Sequence, residues 1–138
     1  MSIDEVCWIE LPNVEDHRGV LTAIEGGRDI PFELRRVFFL HGVTTARGGH
    51  AHRKSRQFLV PVSGRFRVTV SDADQSITYD LTDPHRGLFI PPLVWVALDG
   101  FSSGAVCLVL TDTLFDEAEY LRDWNAFVDV ARTAPASQ

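Results

Sequence analysis

An all-β fold, a sandwich or barrel closed by one C-terminal helix, is what the sequence predicts. Short β-prone runs recur at regular spacing over most of the chain, with turn residues between them. Several runs alternate apolar and polar residues, the mark of a sheet with one buried and one wet face. Helical spacing of apolar residues appears once, near the end. No internal repeat, low-complexity tract or linker precedes the tail, so residues 1–138 are expected to form a single domain around one core.

The elements follow in order. Cys7-Trp8-Ile9-Glu10-Leu11 and Gly19-Val20-Leu21-Thr22-Ala23-Ile24 read as strands separated by a polar turn around Asn13 to Arg18. Arg36-Val37-Phe38-Phe39-Leu40 is strongly β-prone. Gln57 to Val62 and Phe66 to Val70 flank Ser63-Gly64-Arg65 and are expected to form a hairpin. In its second arm Phe66, Val68 and Val70 alternate with Arg67 and Thr69. Ser76 to Leu81 is another alternating strand, Gly87 to Pro92 a short apolar one ended by prolines, and Val94 to Leu98 stops at the turn pair Asp99-Gly100. Ala105 to Leu110 is the last long apolar strand. A helix is expected from about 116 to 129, because Tyr120, Leu121, Trp124, Phe127 and Val128 share one face and its first turn is acidic. Residues 131–138 read as a loose tail.

Composition narrows the function. The chain is 45% apolar and 23% charged, values of a globular protein. No apolar run approaches the roughly 18 residues needed to cross a bilayer. The acidic start, Met1-Ser2-Ile3-Asp4-Glu5, lacks the basic and apolar regions of a signal peptide, so a cytoplasmic location and no membrane partner are expected. A net charge of −6 without a basic stripe argues against nucleic acid. The cations are partly gathered at Arg47, Arg53, Lys54 and Arg56, a local cluster suited to a small anion such as a phosphorylated metabolite. Cys7 and Cys107 are isolated and lack Cys-x-x-Cys spacing; both are expected to be buried thiols.

The most informative residues lie in that cluster. His50 and His52 are two apart in a β context, so both imidazoles point to one face. Such a pair serves as acid and base or as metal ligands. In metal-binding cupins, His-x-His is followed by a Glu and a Gly, and a second motif carries Gly, Pro and a third His. Here His50-x-His52 is followed after four residues by Gln57 and after six more by Gly64. Gly87 is followed after three residues by Pro91 and after four more by Val96. An amide and a valine thus stand where the carboxylate and third imidazole are needed. The expectation is a cupin jelly-roll barrel with a C-terminal helix, no metal, and two histidines left for proton transfer. His17, His41 and His85 sit in polar or strand-end contexts and read as surface residues.

At these residues the sequence resembles the sugar-nucleotide 3,4-ketoisomerases, a cupin family acting on dTDP-4-keto-6-deoxyglucose. The resemblance spans Arg47 to Arg53, Gln57, Gly64, the Gly-Leu-Phe-Ile-Pro-Pro-x-x-Trp run of Gly87 to Trp95, and the ending from Val106 to Phe127 with its Asp-Glu-x-x-Tyr-Leu-Arg stretch. It implies a homodimer with exchanged N-terminal strands, no cofactor, and a dTDP-linked keto sugar as substrate. The implied chemistry removes the C3 proton beside the C4 ketone, passes through an enediol(ate) and delivers a proton to C4. His50 and His52 match the catalytic pair, with His52 taken as the base and His50 as partner or second acid/base, the reverse assignment staying open. Imidazole, with an unperturbed pKa of about 6.5, suits both halves of that task. Arg47 resembles the substrate-side arginine that holds pyrophosphate or an oxyanion, and Arg53 lies in the same block. Gln57 is expected to bond the sugar or base; Trp95 either lines the sugar pocket or packs in the core. The tyrosine the family carries before the histidine loop is replaced by Phe38-Phe39. Two other readings stay open at this point: a nucleotide-sugar 3- or 5-epimerase, and a non-catalytic sugar-nucleotide-binding cupin.

Overall fold

The computed structural model describes residues 2–133. Twelve strands and one helix are laid out along them. The strands are β1 (Cys7–Glu10), β2 (Asn13–Asp16), β3 (Gly19–Thr22), β4 (Arg36–Leu40), β5 (Arg47–His52), β6 (Gln57–Ser63), β7 (Phe66–Ser71), β8 (Ser76–Leu81), β9 (Arg86–Ile90), β10 (Trp95–Asp99), β11 (Val106–Thr111) and β12 (Tyr120–Leu121); the helix is α1 (Trp124–Thr133). One antiparallel sheet runs β1-β9-β6-β11-β4, and a second runs β12-β5-β10-β7-β8. The two sheets form the cupin-like all-β fold that the strand spacing predicts.

The core lies between them. Leu59, Leu88, Ile90, Cys107 and Val109 from the first sheet meet Phe66, Val68, Val70, Val96 and Leu98 from the second. A second apolar layer covers the outside of the first sheet, where Ile30 and Phe32 of the 23–35 loop pack on Phe58, Val60, Phe89 and Leu110. A third lies outside the second sheet, where Phe127 of α1 packs on Ala51 and Leu121. Fully buried Phe58, Phe66 and Phe127 each contribute about 1.5–3 kcal/mol by leaving water.

Four expectations need correction. The runs on either side of Ser63-Gly64-Arg65 are not a hairpin: β6 pairs with β9 and β11, whereas β7 pairs with β10 and β8. Gly64, at φ +67°, turns the chain from one sheet to the other. A short Gly turn between apolar runs looks the same in sequence at a hairpin and at a corner. The polar stretch after Leu11 contains β2, which pairs residue for residue with β3. The C-terminal helix begins at Trp124, not near 116, and runs on to Thr133. Glu117–Glu119 is a single 3-10 turn, and Tyr120 and Leu121 are extended, paired with His52 and Ala51 of β5. Asp123 ends that stretch by capping α1: its carboxylate accepts from Ala126 N at 2.9 Å. The helix takes in residues 131–133 of the expected tail; residues 134–138 lie outside the described residues. Lastly, Cys107 is buried but Cys7 is exposed on β1.

Candidate active site

The site strand is β5, and its alternation dictates what it presents. Gly49 and Ala51 face outward; His50 and His52 face inward, with His50 opposite Val96 of β10. The outward residues are small because Trp95 and α1 lie over them. A Cβ on Gly49 would come within 1.9 Å of Trp95 Nε1. Trp95 in turn packs on Trp124 and Phe127, with ring centroids 5.3 and 5.5 Å away.

On the inward side a cavity of about 620 Å³ opens. Arg47, Gly48, Gly49 and His50 of β5 form one wall. Gln57 and Leu59 of β6, Val96 and Leu98 of β10 and Val109 of β11 form its floor. Phe38 and Leu40 of β4, with Tyr120 and Arg122 from beyond the barrel, complete it.

His50 lines this cavity. Burial pulls its pKa down to about 4, helped by electrostatic interaction with His52, Arg122 and Arg47; a hydrogen bond to the Gly48 backbone opposes them. His50 is therefore a neutral imidazole at pH 7. His52 sits behind it, 5% exposed, with the two rings edge to face and 5.1 Å apart. Its Nδ1 lies 2.5 Å from Glu119 Oε2, and its Nε2 is buried without a hydrogen-bond partner. The other Glu119 oxygen, Oε1, accepts from Lys54 N at 3.1 Å and Ser55 N at 3.0 Å. Burial raises the Glu119 carboxyl pKa, but these three bonds outweigh it and hold the group below the usual carboxylate range.

Tyr120 covers the pair, its ring centroid 4.4 Å from His52 and 5.5 Å from His50. Arg122 lies over Tyr120 at 4.5 Å and is gripped by both oxygens of Glu117, at 2.8 and 3.0 Å. Two guanidinium groups, Arg47 and Arg122, thus border the cavity. Among the described residues no three His, Cys, Asp or Glu side chains are gathered as a metal site.

The structure brings together His50, His52, Arg47 and Gln57 of the residues singled out in the sequence. It leaves two outside. Trp95 faces away from the cavity and serves the packing of α1, the second of the two roles open to it. Arg53 is exposed beyond the end of β5; its backbone N bonds Glu119 O and its side chain is not part of the cavity wall. His50 borders the cavity and His52 lies behind it. Sequence reasoning missed Glu119, Tyr120 and Arg122, because their segment was read as helix. For Tyr120 and Arg122 the signal was present in the Asp-Glu-x-x-Tyr-Leu-Arg stretch, which is more specific than a His-x-His pair; Glu119 falls at one of its unspecified positions. Tyr120 also brings a phenol to a cavity where Phe38 stands at the expected tyrosine.

Comparisons with known proteins agree with this architecture. The profile of the FdtA family, described as "WxcM-like, C-terminal", matches residues 4–132. A TDP-4-oxo-6-deoxy-alpha-D-glucose-3,4-oxoisomerase of Aneurinibacillus thermoaerophilus is 38% identical over 123 residues, covering 86% of this chain and 87% of that protein. The 3,4-ketoisomerase QdtA of Thermoanaerobacterium thermosaccharolyticum, solved as a histidine-to-asparagine variant with TDP-4-keto-6-deoxyglucose, superposes with a TM-score of 0.90 at 36% identity, over 92% of this chain and 94% of that one. A 3,4-ketoisomerase from Helicobacter canadensis gives a TM-score of 0.90 at 31% identity, over 93% and 98%. The chain belongs to the FdtA family, among the sugar-nucleotide 3,4-ketoisomerases.

Proposed function

We propose that the chain moves the keto group of a TDP-4-keto-6-deoxyhexose from C4 to C3, with His50 and His52 as the acid/base pair. The observation that carries this reading is His50 at the wall of a ligand-sized cavity with His52 directly behind it. The named activities of the relatives supply the substrate class.

The reaction needs a base at C3, a stabiliser for the oxygen on C4, and a proton for C4. His50, neutral at pH 7, has a lone pair to take the C3 proton. The electrons of the broken C–H bond form the C3–C4 double bond, and the C4 carbonyl becomes an enediolate oxygen. Arg47 and Arg122 place positive charge around that oxygen and the diphosphate. The proton of the C3 hydroxyl is passed to the enediolate oxygen on C4 as the C3 oxygen becomes the new carbonyl. C4 receives a proton from the histidine pair, and its oxygen ends as a hydroxyl. Gln57, buried at the floor, offers an amide to a sugar hydroxyl.

The same reading includes a homodimer with exchanged N-terminal strands. The β2–β3 hairpin joins neither large sheet and exposes Val14, Val20 and Leu21. The edge strand β4 exposes Val37 and Phe39, the latter at 57%. Two apolar surfaces of this kind support mutual cover between copies.

The test is incubation with TDP-4-keto-6-deoxyglucose in deuterated water. A 3-keto product carrying deuterium at C4 is expected, and turnover falls by at least about a hundredfold in His50→Asn and in His52→Asn. Deuterium confined to C3 or C5 of an unshifted 4-keto sugar would identify an epimerase instead. Full activity in the double variant would end the acid/base assignment.

A further inference from the structure

Glu119 stands outside the cavity, yet it holds the most constrained hydrogen bonds near it. It is 5% exposed, and both of its oxygens are committed. Oε1 takes two backbone N–H groups at the turn after β5, from Lys54 and Ser55. Only Oε2 is left for His52, at 2.5 Å from Nδ1. A carboxylate below its usual pKa range only accepts hydrogen bonds, so Nδ1 must carry the proton of this bond. In the neutral ring, Nε2 is then the unprotonated nitrogen, and among the described residues it is the one buried side-chain nitrogen or oxygen without a hydrogen-bond partner. The carboxylate thereby selects the tautomer and orientation of one histidine of the pair.

We propose that Glu119 is the positioning residue of the histidine pair: it fixes His52 as the Nδ1–H tautomer and keeps Nε2 free as the working nitrogen. The inference rests on the reading that His50 and His52 transfer the protons, and it adds a third member that never meets the sugar. It also relocates a function. The cupin pattern puts a carboxylate at the position occupied by Gln57; here a carboxylate reaches His52 from the segment after the last barrel strand.

Glu119→Gln tests it, because the backbone dictates which way an amide must sit. Lys54 N and Ser55 N both donate, so the amide oxygen is required at the Oε1 position. The NH2 group is then placed against His52 Nδ1, where it donates. The ring must accept there and carry its proton on Nε2, with the fold's own hydrogen bonds intact. The same carboxylate-to-amide inversion in a Ser-His-Asp triad leaves geometry intact and destroys turnover.

The expected result has two parts. ¹⁵N-histidine spectra, assigned to His52 by difference from His52→Asn, change from protonated Nδ1 to protonated Nε2. Turnover falls about a hundredfold with KM changed less than threefold, since Glu119 does not line the cavity. A tautomer that inverts while turnover falls less than tenfold overturns the proposal. So does a loss of turnover with the tautomer unchanged, which would make Glu119 only a brace for the turn. If Glu119→Gln does not fold, the wild-type spectrum decides: a neutral His52 with bare Nδ1 overturns the proposal, and a protonated Nδ1 supports it. Full activity in the two histidine variants would instead sink the underlying reading, and is a separate outcome.

Discussion

His50 should make folding stability fall between pH 7 and pH 5 by an amount that its burial sets. Its pKa is about 4 in the folded protein, against an ordinary 6.5 once the chain unfolds and the ring meets water. Below pH 6.5 the unfolded chain takes up a proton that the folded chain refuses. The stability due to the neutral ring is thus complete above pH 6.5 and is lost as pH falls toward 4. With about 1.4 kcal/mol per pKa unit, the 2.5-unit difference costs about 2 kcal/mol between pH 7 and pH 5 and about 3 kcal/mol by pH 4. The assay is urea unfolding at both pH values, at one protein concentration, for the wild type and His50→Asn. The wild-type midpoint should drop by about 1 M urea more than that of the variant, for an m-value in the usual range. Asparagine does not titrate there, so groups that do not interact with His50 cancel between the two proteins. Equal losses would refute the claim that burial and neighbouring cations keep His50 neutral.

Two further outcomes follow from the packing. Gly49→Ala drives a methyl into Trp95, which Trp124 and Phe127 hold in place, so the variant should lose about 1–3 kcal/mol in urea unfolding and shift β5 enough to lower turnover. An unchanged midpoint would mean that the indole swings aside freely. Phe39→Asp puts a charge on the exposed apolar edge of β4 and should convert the proposed dimer to monomer in analytical ultracentrifugation; a wild-type monomer would dispose of the exchanged-strand reading.

How much was legible depends on what kind of information each element carries. Strands such as Arg36–Leu40 and Ser76–Leu81 fall where alternation and β-propensity put them, since both are local properties. The Gly64 corner was not legible, because partner choice between two sheets is settled by strands far along the chain. Tyr120 and Leu121 fit a helical face and a two-residue strand equally well; edge pairing to β5, a tertiary contact, decides between them. At the site, His50 and His52 were visible through their spacing on one strand, Gln57 through its place in the cupin motif, and Arg47 through the resemblance of its block to the family's. Glu119 was not, because a carboxylate 67 residues from its histidine leaves no periodic trace.

The Glu117–Arg122 stretch has one more consequence. It meets the barrel through a two-residue strand, yet it carries the groups that grip His52 and roof the cavity. A short margin of pairing is the first to open under heat or denaturant. Activity is therefore expected to fail when this clasp lifts, while the first sheet and the β5-β10-β7-β8 strands of the second stay paired. The inactivation temperature should then lie below the melting temperature, and a variant that tightens the clasp should raise the first without the second.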